Sequence, residues 1–437
     1  MAIGGTHPDY DATAQQWSRA RDVLAGEDAV KAAGEKYLPR LDSQSEEEYG
    51  AYKARGSFFG ATARTLDEYL DLVFRRAPVL ALGTGEQLKK FVANCDLWGL
   101  DFLRYARRVV SEVLAVGRVG SLVVCEQGGR PVVSLWKAED IVNWTVERVG
   151  QAVVLVEVVL RDAGALRVLR LIESSCVQEV WKRSDETWVL YERVTLRRDG
   201  VPLPFVPFVF HGPRDSRAEP DRLPLADIIA ANLDHYRLDA DFKHGLHFAA
   251  LPTAWVSGFD KAAALRIGSS AAWVSDIPGA TAGFLEFSGA GLGHIDRAME
   301  RVERRMALLG ARMLEVTASD REGTGVPASS ADGQLCGLGS LVASLNQSLT
   351  RVLQLANWWI GGGDAADAPG VSIAMNTDLA ARAISAELLA AVLATWRGGG
   401  MSRESMLEFL KRGEILPEGR TVAEERALIH GKARNQA

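Results

Sequence analysis

The sequence predicts an α+β protein whose helical and β-strand regions occupy separate stretches of the chain. Up to about residue 118, apolar residues recur at the three-to-four spacing of amphipathic helices. From about residue 119 to 210 the spacing falls to two, which is typical of half-buried strands. The helical spacing returns at Leu225 and continues through most of the remaining chain. At 437 residues the chain has room for two or three domains.

Local signals place several boundaries in the N-terminal helical region. Ser45 and Glu48 have the spacing of a capping box, so a helix is expected to begin there. Gly56 and Gly60 lie within the same stretch and are expected to divide it into two helices. A further helix is expected to end at Gly117, because glycine readily adopts the left-handed conformation at a helix C-terminus.

The β region begins with a hairpin that turns at Gly128 and Gly129. The segment 146–200 supplies four or five more short strands. The segment 201–210 is interrupted by prolines, which cannot donate to a strand ladder, so it is expected at a sheet edge. Together these segments predict an antiparallel β module.

The C-terminal half is predicted to contain long helices over 225–248, 291–317 and 334–360. Three short strands are expected between 250 and 288. The segment 318–333 is rich in glycine and serine and nearly without apolar residues, so we predict an exposed loop. A last strand, VSIAMN, precedes a helical C-terminal region.

Composition and charge exclude several functional classes. Hydrophobic residues make up 47% and charged residues 24%, as in a well-cored globular protein. The formal net charge of −6 argues against a protein that grips nucleic-acid phosphates broadly, because such surfaces are basic. The four cysteines (Cys95, Cys125, Cys176 and Cys336) include no CxxC pair, so neither a zinc site nor a disulfide framework is indicated. No apolar signal region or membrane-length window is present, so a cytoplasmic protein is expected.

Histidines and carboxylates concentrate in the first of the long C-terminal helices: His235, Asp239, Asp241, His244 and His247. At about 100° per residue, His235 and Asp239 share one flank, His244 lies on the other, and His247 falls on the apolar stripe. A metal needs ligands that converge on one point. We therefore expect no metal here, and instead a solvated or inter-subunit helix face.

A glycine-rich turn precedes the next helix. Gly289, Gly291 and Gly293 follow an apparent strand, which is the order that cradles a pyrophosphate. However, His294 stands where the third glycine of the fingerprint belongs, and no apolar strand follows to present an acidic residue to a ribose. A nucleotide-binding enzyme that uses the turn between Gly289 and Gly293 is thus the alternative function. With no nucleophile elbow, HExxH or paired Cys/His motif, the expectation is that the protein is not an enzyme and has no cofactor.

The helix over 291–317 carries an unbroken apolar stripe whose spacing alternates between three and four, at Leu292, Ile295, Met299, Val302, Met306, Leu309 and Met313. One flank of the stripe is acidic, with Asp296, Glu300 and Glu303. The other flank is basic, with Arg297, Arg301, Arg304, Arg305 and Arg312. Such a helix suits a head-to-tail ring in which each basic flank meets the next acidic one. Pairing with another helix of the same chain is equally compatible with the pattern.

An ordered set of segments carries a family resemblance: THPDYDA, AGEDAVKAAGEKYLPRL, EEEYGAYKARGSFFGATARTLDEYLDLVFRRAP, LPLADIIAANLDHYRLDADFKHGLHFAALPTAWVSG, GATAGFLEFSGAG and ERRMALLGARML. In these segments the chain resembles the phage portal proteins, specifically a tailed-phage and prophage group long catalogued as a domain of unknown function. The segments span most of the chain up to about residue 350 in consistent order.

The resemblance implies a dodecameric ring at one capsid vertex, the head–tail connector through which DNA is packaged and later ejected. It implies no catalytic role, no cofactor and no metal. The implied partners are further copies of the chain, double-stranded DNA without sequence specificity, terminase, a major capsid or scaffolding protein, and a head–tail adaptor, but no membrane. The implied location is the virion, after assembly in the host bacterial cytoplasm. The acidic balance suits a channel in which DNA must slide without tight phosphate pairing.

The resemblance also implies an architecture, with a helical and β wing, long stem helices, a small α/β clip and a helical crown. In this chain the order of elements assigns the wing to 1–222, with a helical part to about 118 and the β module at about 119–210. The stem helices are assigned to 223–249 and 291–317, and the clip between them to 250–290. A tunnel loop is assigned to 318–333, a long helix and return to the wing to 334–378, and the crown to 379–437. The residues of the tunnel loop expected to face DNA are Ser319, Asp320, Arg321, Glu322 and Thr324. The segment after Leu379 is shorter than many portal crowns.

Overall fold

The computed structural model describes residues 4–434, apart from residues 84, 126–128, 186, 251–252, 260–272, 286–288, 314–336, 362–367, 369, 378, 380–385 and 413–419. The chain divides into two compact units, Met1–Asp378 and Leu379–Ala437. Helices and antiparallel sheets occupy separate stretches of the first unit, so the chain is an α+β protein, as its sequence predicts.

The N-terminal helical region consists of α1 (Pro8–Ala25), α2 (Glu27–Ala32), α3 (Glu46–Arg55), α4 (Ala61–Phe74), the short strand β1 (Val79–Leu82), α5 (Glu86–Ala93) and α6 (Phe102–Val116). The predicted capping box is present, because the Ser45 hydroxyl accepts from the Glu48 backbone N–H at 3.3 Å and the Glu48 carboxylate accepts from the Ser45 N–H at 2.7 Å. The predicted break between α3 and α4 also occurs. Gly117 caps α6 with a φ of 75°, again as predicted.

The β module forms two sheets. Its strands are β2 (Val119–Cys125), β3 (Pro131–Lys137), β4 (Ile141–Val149), β5 (Ala152–Asp162), β6 (Ala165–Ile172), β7 (Ser175–Ser184), β8 (Thr187–Thr195), β9 (Arg197–Arg198), β10 (Val201–Pro202) and β11 (Phe208–His211). One sheet has the order β4-β5-β6-β7-β8 and the other β11-β2-β3, while β9 and β10 pair in a small ribbon. The β2–β3 hairpin is confirmed, and the proline-interrupted segment ends in β11, which lies at a sheet edge as expected.

The remaining elements of the first unit are α7 (Ala226–Ala250), β12 (Thr253–Ser257), β13 (Thr281–Leu285), α8 (Leu292–Arg312), α9 (Gly337–Trp359) and β14 (Val371–Ala374). Strands β12 and β13 pair with each other as a two-stranded antiparallel ribbon. The third strand expected in this region is absent from its described part, since residues 273–276 have no regular structure. One pairing was not predicted at all: β14 pairs antiparallel with β1, close to the other end of the sequence.

The main core lies where α6 and α9 meet the β2 sheet. Helix α6 contacts α1, α4, β2 and α9, because nine of its residues are apolar or aromatic and buried. Helix α9 contacts β2, β3, β11 and β14 through a buried stripe that includes Leu341, Leu345, Leu349 and Val352. Helices α1 and α4 contact both this core and α7, and so connect α7 to it.

The second unit contains α10 (Ala386–Arg397), α11 (Arg403–Arg412) and α12 (Val422–Arg434). Its small core consists of Val392, Met406 and Leu407, with Trp396 and Phe409 packed against them. No described helix in either unit combines the length and apolar character that a membrane crossing needs.

Candidate inter-subunit surface on helices α7 and α8

The N-terminal half of α7 is anchored in the body of the first unit. Its buried residues run from Ile228 to Ala240, and α7 contacts α1, α3 and α4. The buried Asn232 side chain carries much of the anchoring. Its Oδ1 accepts from the N–H and hydroxyl of Thr62 at 3.1 and 2.9 Å, and its Nδ2 donates to the Phe59 carbonyl at 2.6 Å. Asn232 therefore satisfies backbone groups at the start of α4 that the helix itself cannot.

His235 and Asp239 lie on the anchored half of α7 and are almost fully buried. The Nε2 of His235 lies 3.1 Å from the Glu303 carboxylate of α8. The Asp239 carboxylate accepts from the Ser57 N–H at 2.6 Å and pairs with Lys243 at 3.0 Å. The expectation of a solvated or inter-subunit face is thus wrong for these two residues, because the loop before α4 and the helix α8 cover that side of α7.

The other polar residues of α7 lie apart from this pair. The Tyr52 hydroxyl donates to the Asp241 carboxylate at 2.5 Å. His244 lies 3.4 Å from an Arg55 nitrogen, and burial, with Arg55 as a second cause, lowers the pKa of His244. His247 lies against the ring of Phe248. Within the described residues, no group of three or more His, Cys, Asp or Glu side chains could hold a metal ion.

Helices α7 and α8 form an antiparallel pair. Near the ribbon, a Cβ added at Gly245 would lie 2.9 Å from Leu292, so glycine permits a close approach of the two helices. Toward the base, His235 meets Glu303. The α7–α8 pair extends away from the core. Leu246 and Phe248 near the end of α7 are about half exposed (47% and 49%), and Met306 is the one buried residue among the described residues of α8. The β12–β13 ribbon lies at the far end and exposes Trp255 and Phe284.

The apolar stripe of α8 is the part of the helix that is partly or fully buried, and α8 packs mainly on α7. This seam is therefore a contact within the chain, which was one of the two interpretations open from sequence. Both charged flanks remain exposed. Several of their side chains interact on the helix itself: Arg304 pairs with Glu300 at 2.8 Å, Arg297 lies 3.1 Å from a His294 nitrogen, and Arg301 donates to the Arg297 carbonyl at 3.3 Å. Asp296 is exposed, and Glu303 keeps 55% of its side chain exposed despite the His235 contact.

In the described residues, the glycine turn before α8 differs from a dinucleotide site in the strand that precedes it. Gly289 has a φ of +61° and accepts from the Leu292 N–H at 2.9 Å, which closes a tight turn. The strand before it belongs to an antiparallel two-stranded ribbon, whereas dinucleotide binding uses a parallel βαβ unit. Gly291 and Gly293 begin a helix that packs on α7. The tunnel-loop residues Ser319, Asp320, Arg321, Glu322 and Thr324 lie outside the described residues.

Sequence reasoning missed a buried polar network in the core. The His211 Nε2 lies 2.6 Å from the Ser121 hydroxyl and its Nδ1 lies 2.7 Å from the Ser348 hydroxyl, while Tyr105 bonds Ser121. Residues of these types could form a catalytic group, but all four are buried to within 1% of full burial. The network therefore joins α6, β2, β11 and α9 as a structural cross-link. No sequence spacing relates positions so far apart.

A second missed feature is Arg118, which is 1% exposed. Its guanidinium lies 3.9 Å from the Trp144 ring centroid and 4.8 Å from that of Phe210, and its three nitrogens have no hydrogen-bond partner among the described residues. Burial lowers the pKa of Arg118 to about 9. The aromatic faces supply part of the stabilisation that a carboxylate would give a buried cation.

Comparisons with known proteins add the following. A family model described as a domain of unknown function (DUF4055) matches residues 224–360, from just before α7 to just after α9. No curated protein sequence matches the chain. Among solved structures, the chain is similar to one from the virion of a native gene transfer agent (GTA) particle, with 13% identity, a TM-score of 0.40, and coverage of 89% of this chain and 99% of that one. Another comes from the neck of a native GTA particle computed with C12 symmetry, with 14% identity, a TM-score of 0.39, and coverage of 89% and 98%.

Proposed function

We propose that this protein is a phage portal protein, which forms a ring-shaped channel at a capsid vertex for DNA packaging, DNA ejection and head–tail joining. The observation that carries the proposal is the α7–ribbon–α8 projection. Two antiparallel helices rise from a cored body and carry a small β ribbon at their far end, as expected for the stem and clip of a portal. The sequence resemblance covers the same elements in the same order.

The arrangement of charge on α8 supports a ring. Asp296, Glu300 and Glu303 lie on one side of the helix. Arg301, Arg305 and Arg312 lie on the other, and Arg304 lies between them, where it pairs with Glu300. Because the apolar seam is already used against α7, a second copy meets the charged sides. A contact between two different faces is heterologous, and it closes into a ring when the rotation between copies allows. Asp296, Glu300 and Glu303 of one copy then face Arg297, Arg301 and Arg304 of the next.

The remaining parts of the proposal follow the order of the chain. The body up to residue 222, together with α9 and β14, forms the wing; the segment 318–333 forms the tunnel loop; and the helices after residue 379 form the crown. Double-stranded DNA passes through the ring without sequence recognition, and terminase, a capsid or scaffolding protein and a head–tail adaptor bind its outer parts. The protein acts in the virion, as a ring of twelve copies, and uses no cofactor.

The experiment is to measure particle size. Purified protein is expected to form rings visible by negative-stain electron microscopy, with a matching mass by light scattering. The variant Arg301→Glu/Arg304→Glu is expected to dissociate at low salt into smaller species, and adding Glu300→Arg/Glu303→Arg is expected to restore assembly partly. Each exposed pair contributes only about 0.2–1 kcal/mol, but a ring repeats the contact at every interface.

The variant Arg148→Glu/Arg183→Glu, with the same charge change on exposed positions of the β module, serves as the matched control. A small species that binds a nucleotide and never forms rings would overturn the proposal in favour of the enzyme alternative.

A further inference from the structure

A groove runs between the start of α4, α7 and α8, on the acidic side of α8. It encloses about 990 Å³, and we call it the helix groove. Its floor is apolar, with Phe58, Phe59, Tyr69, Met299 and Met306. Phe59 stays 43% exposed, with the Arg64 guanidinium 5.0 Å from its ring centroid, so part of a large ring is accessible to a partner.

Small residues widen one wall of the helix groove. Ala307, Gly310 and Ala311 follow one another along α8, and none has a side chain that could fill the space beside it. The wall is held in place, because the Tyr69 hydroxyl donates to the Gly310 carbonyl at 2.6 Å. Glycine and alanine side chains leave room beside the backbone for a neighbouring element to approach closely. The helix groove is therefore shaped to receive a helix.

The rim of the helix groove is mainly acidic. Glu68, Asp239 and Glu303 line it, against Arg64 as its basic residue. Asp239 is already engaged by Ser57 and Lys243, which leaves Glu68 and Glu303 as the exposed carboxylates. The Nε2 of His235 lies 3.1 Å from one carboxylate oxygen of Glu303, whose side chain stays 55% exposed.

The opposite side of α8 carries a complementary surface. Arg301, Arg305, Leu308 and Arg312 recur at spacings of four, three and four, Arg304 lies four residues before Leu308, and all five residues are exposed. Leu308, 60% exposed, lies at the centre of these arginines. We call this surface the arginine stripe. At about 100° per residue its centre lies about 150° around α8 from the residues that line the helix groove.

We propose that the arginine stripe of one copy docks into the helix groove of the next copy, with Leu308 on the apolar floor and the arginines against Glu68 and Glu303. The occupant is a second copy because the groove and its complement belong to the same chain and match in charge. The arginine stripe and the helix groove lie on nearly opposite sides of α8. Each copy can therefore place its arginine stripe in the groove of one neighbour and receive the stripe of the other neighbour in its own groove, which is the arrangement of a heterologous ring. This inference rests on the proposed function and names the surfaces through which that ring closes.

The test is a cysteine cross-link between the two surfaces. The variant Leu308→Cys/Thr65→Cys places one thiol on the arginine stripe and one in the helix groove, since Thr65 lines it. Mild oxidation is expected to give a ladder of covalent multimers on non-reducing gels, and a reductant is expected to collapse it. Each single variant and the wild type are the controls, and they also reveal any cross-link that forms through the native cysteines Cys95, Cys125, Cys176 and Cys336.

Three outcomes separate this inference from the proposed function. Rings with a ladder from the double variant alone support both. Rings without a ladder, or a dimer from Leu308→Cys alone, overturn the docking and leave the portal proposal standing. Protein that forms no rings overturns both.

A second measurement tests whether the Leu308 side chain is needed for assembly. Leu308→Asp is expected to raise the protein concentration needed for half-assembly at least roughly tenfold, as for a central residue of an interface. Leu308→Met, which keeps the apolar contact, is expected to assemble like the wild type. Circular dichroism of the dilute variants verifies the fold, and equal assembly of the Asp and wild-type proteins would contradict the docking.

Discussion

Acid is expected to destabilise the first unit through one buried histidine. His211 is fully buried, and serine hydroxyls bond both of its ring nitrogens, so it folds as a neutral imidazole. Burial lowers the pKa of His211 to about 3. In the unfolded chain the pKa of a histidine is about 6.5. The contribution of His211 to the free energy of unfolding is thus fully present above about pH 6.5 and is lost as the pH falls toward 3. The reason is that the unfolded chain takes up a proton that the folded chain does not.

The magnitude follows from that difference in bound protons. When the unfolded state holds one proton more than the folded state, the free energy of unfolding falls by about 1.4 kcal/mol per pH unit. Most of the interval from pH 7 to pH 5 lies below the unfolded pKa. The loss over this interval is therefore about 2 kcal/mol from His211 alone.

The assay is denaturant unfolding of the full chain at pH 7, 6 and 5, for the wild type and for His211→Gln. Other groups titrate equally in both proteins, so their effects cancel in the difference. Although His211→Gln is expected to be less stable at pH 7, its stability should fall by about 2 kcal/mol less between pH 7 and pH 5. His294→Gln, on the exposed face of α8, is the matched control and should follow the wild type. Equal losses in the wild type and His211→Gln would refute the reasoning.

Three further predictions concern buried polar groups. Asn232→Ala should lower the free energy of unfolding by about 1–3 kcal/mol, because the Thr62 N–H is left unsatisfied, and a loss below 0.5 kcal/mol would contradict this. Arg118→Met should leave the melting temperature unchanged or raise it, since none of the three guanidinium nitrogens has a hydrogen-bond partner among the described residues, and a lower free energy of unfolding by more than about 3 kcal/mol would contradict this. Elemental analysis of protein purified without chelator should show no stoichiometric metal; an ion lost in His244→Ala or His247→Ala would contradict it.

Much of the fold could be predicted from local signals. The Ser45 capping box, the break between Gly56 and Gly60, and the Gly117 cap each depend on groups a few residues apart, and all are present in the structure. The hairpin at the start of the β module is equally local. Such signals act before any tertiary contact forms, which is why they can be read from the chain alone.

Long-range pairings could not be predicted in the same way. The pairing of β1 with β14 brings Val79 to Ala374, and neither short segment carries a mark of its partner. The His211 network has the same character, since Ser121 and Ser348 are ordinary residues until the fold brings them together. The buried position of His235 was also missed, because a helical wheel shows which residues share a face but not what covers that face.

The alternating spacing on α8 is likewise a local signal whose partner could not be predicted from the sequence. The spacing identified a seam but could not say whether its partner was α7 or a second copy. Once α7 is known to cover the seam, the positions of the charges follow from helix geometry, with Glu300 and Glu303 on one side and Arg301 and Arg305 on the other. Had both signs fallen on one side, two copies would meet face to face as a closed dimer. In the proposed ring, charges on opposite sides leave each pair of copies with one free surface of each kind, and each added copy recreates both surfaces until the ring closes.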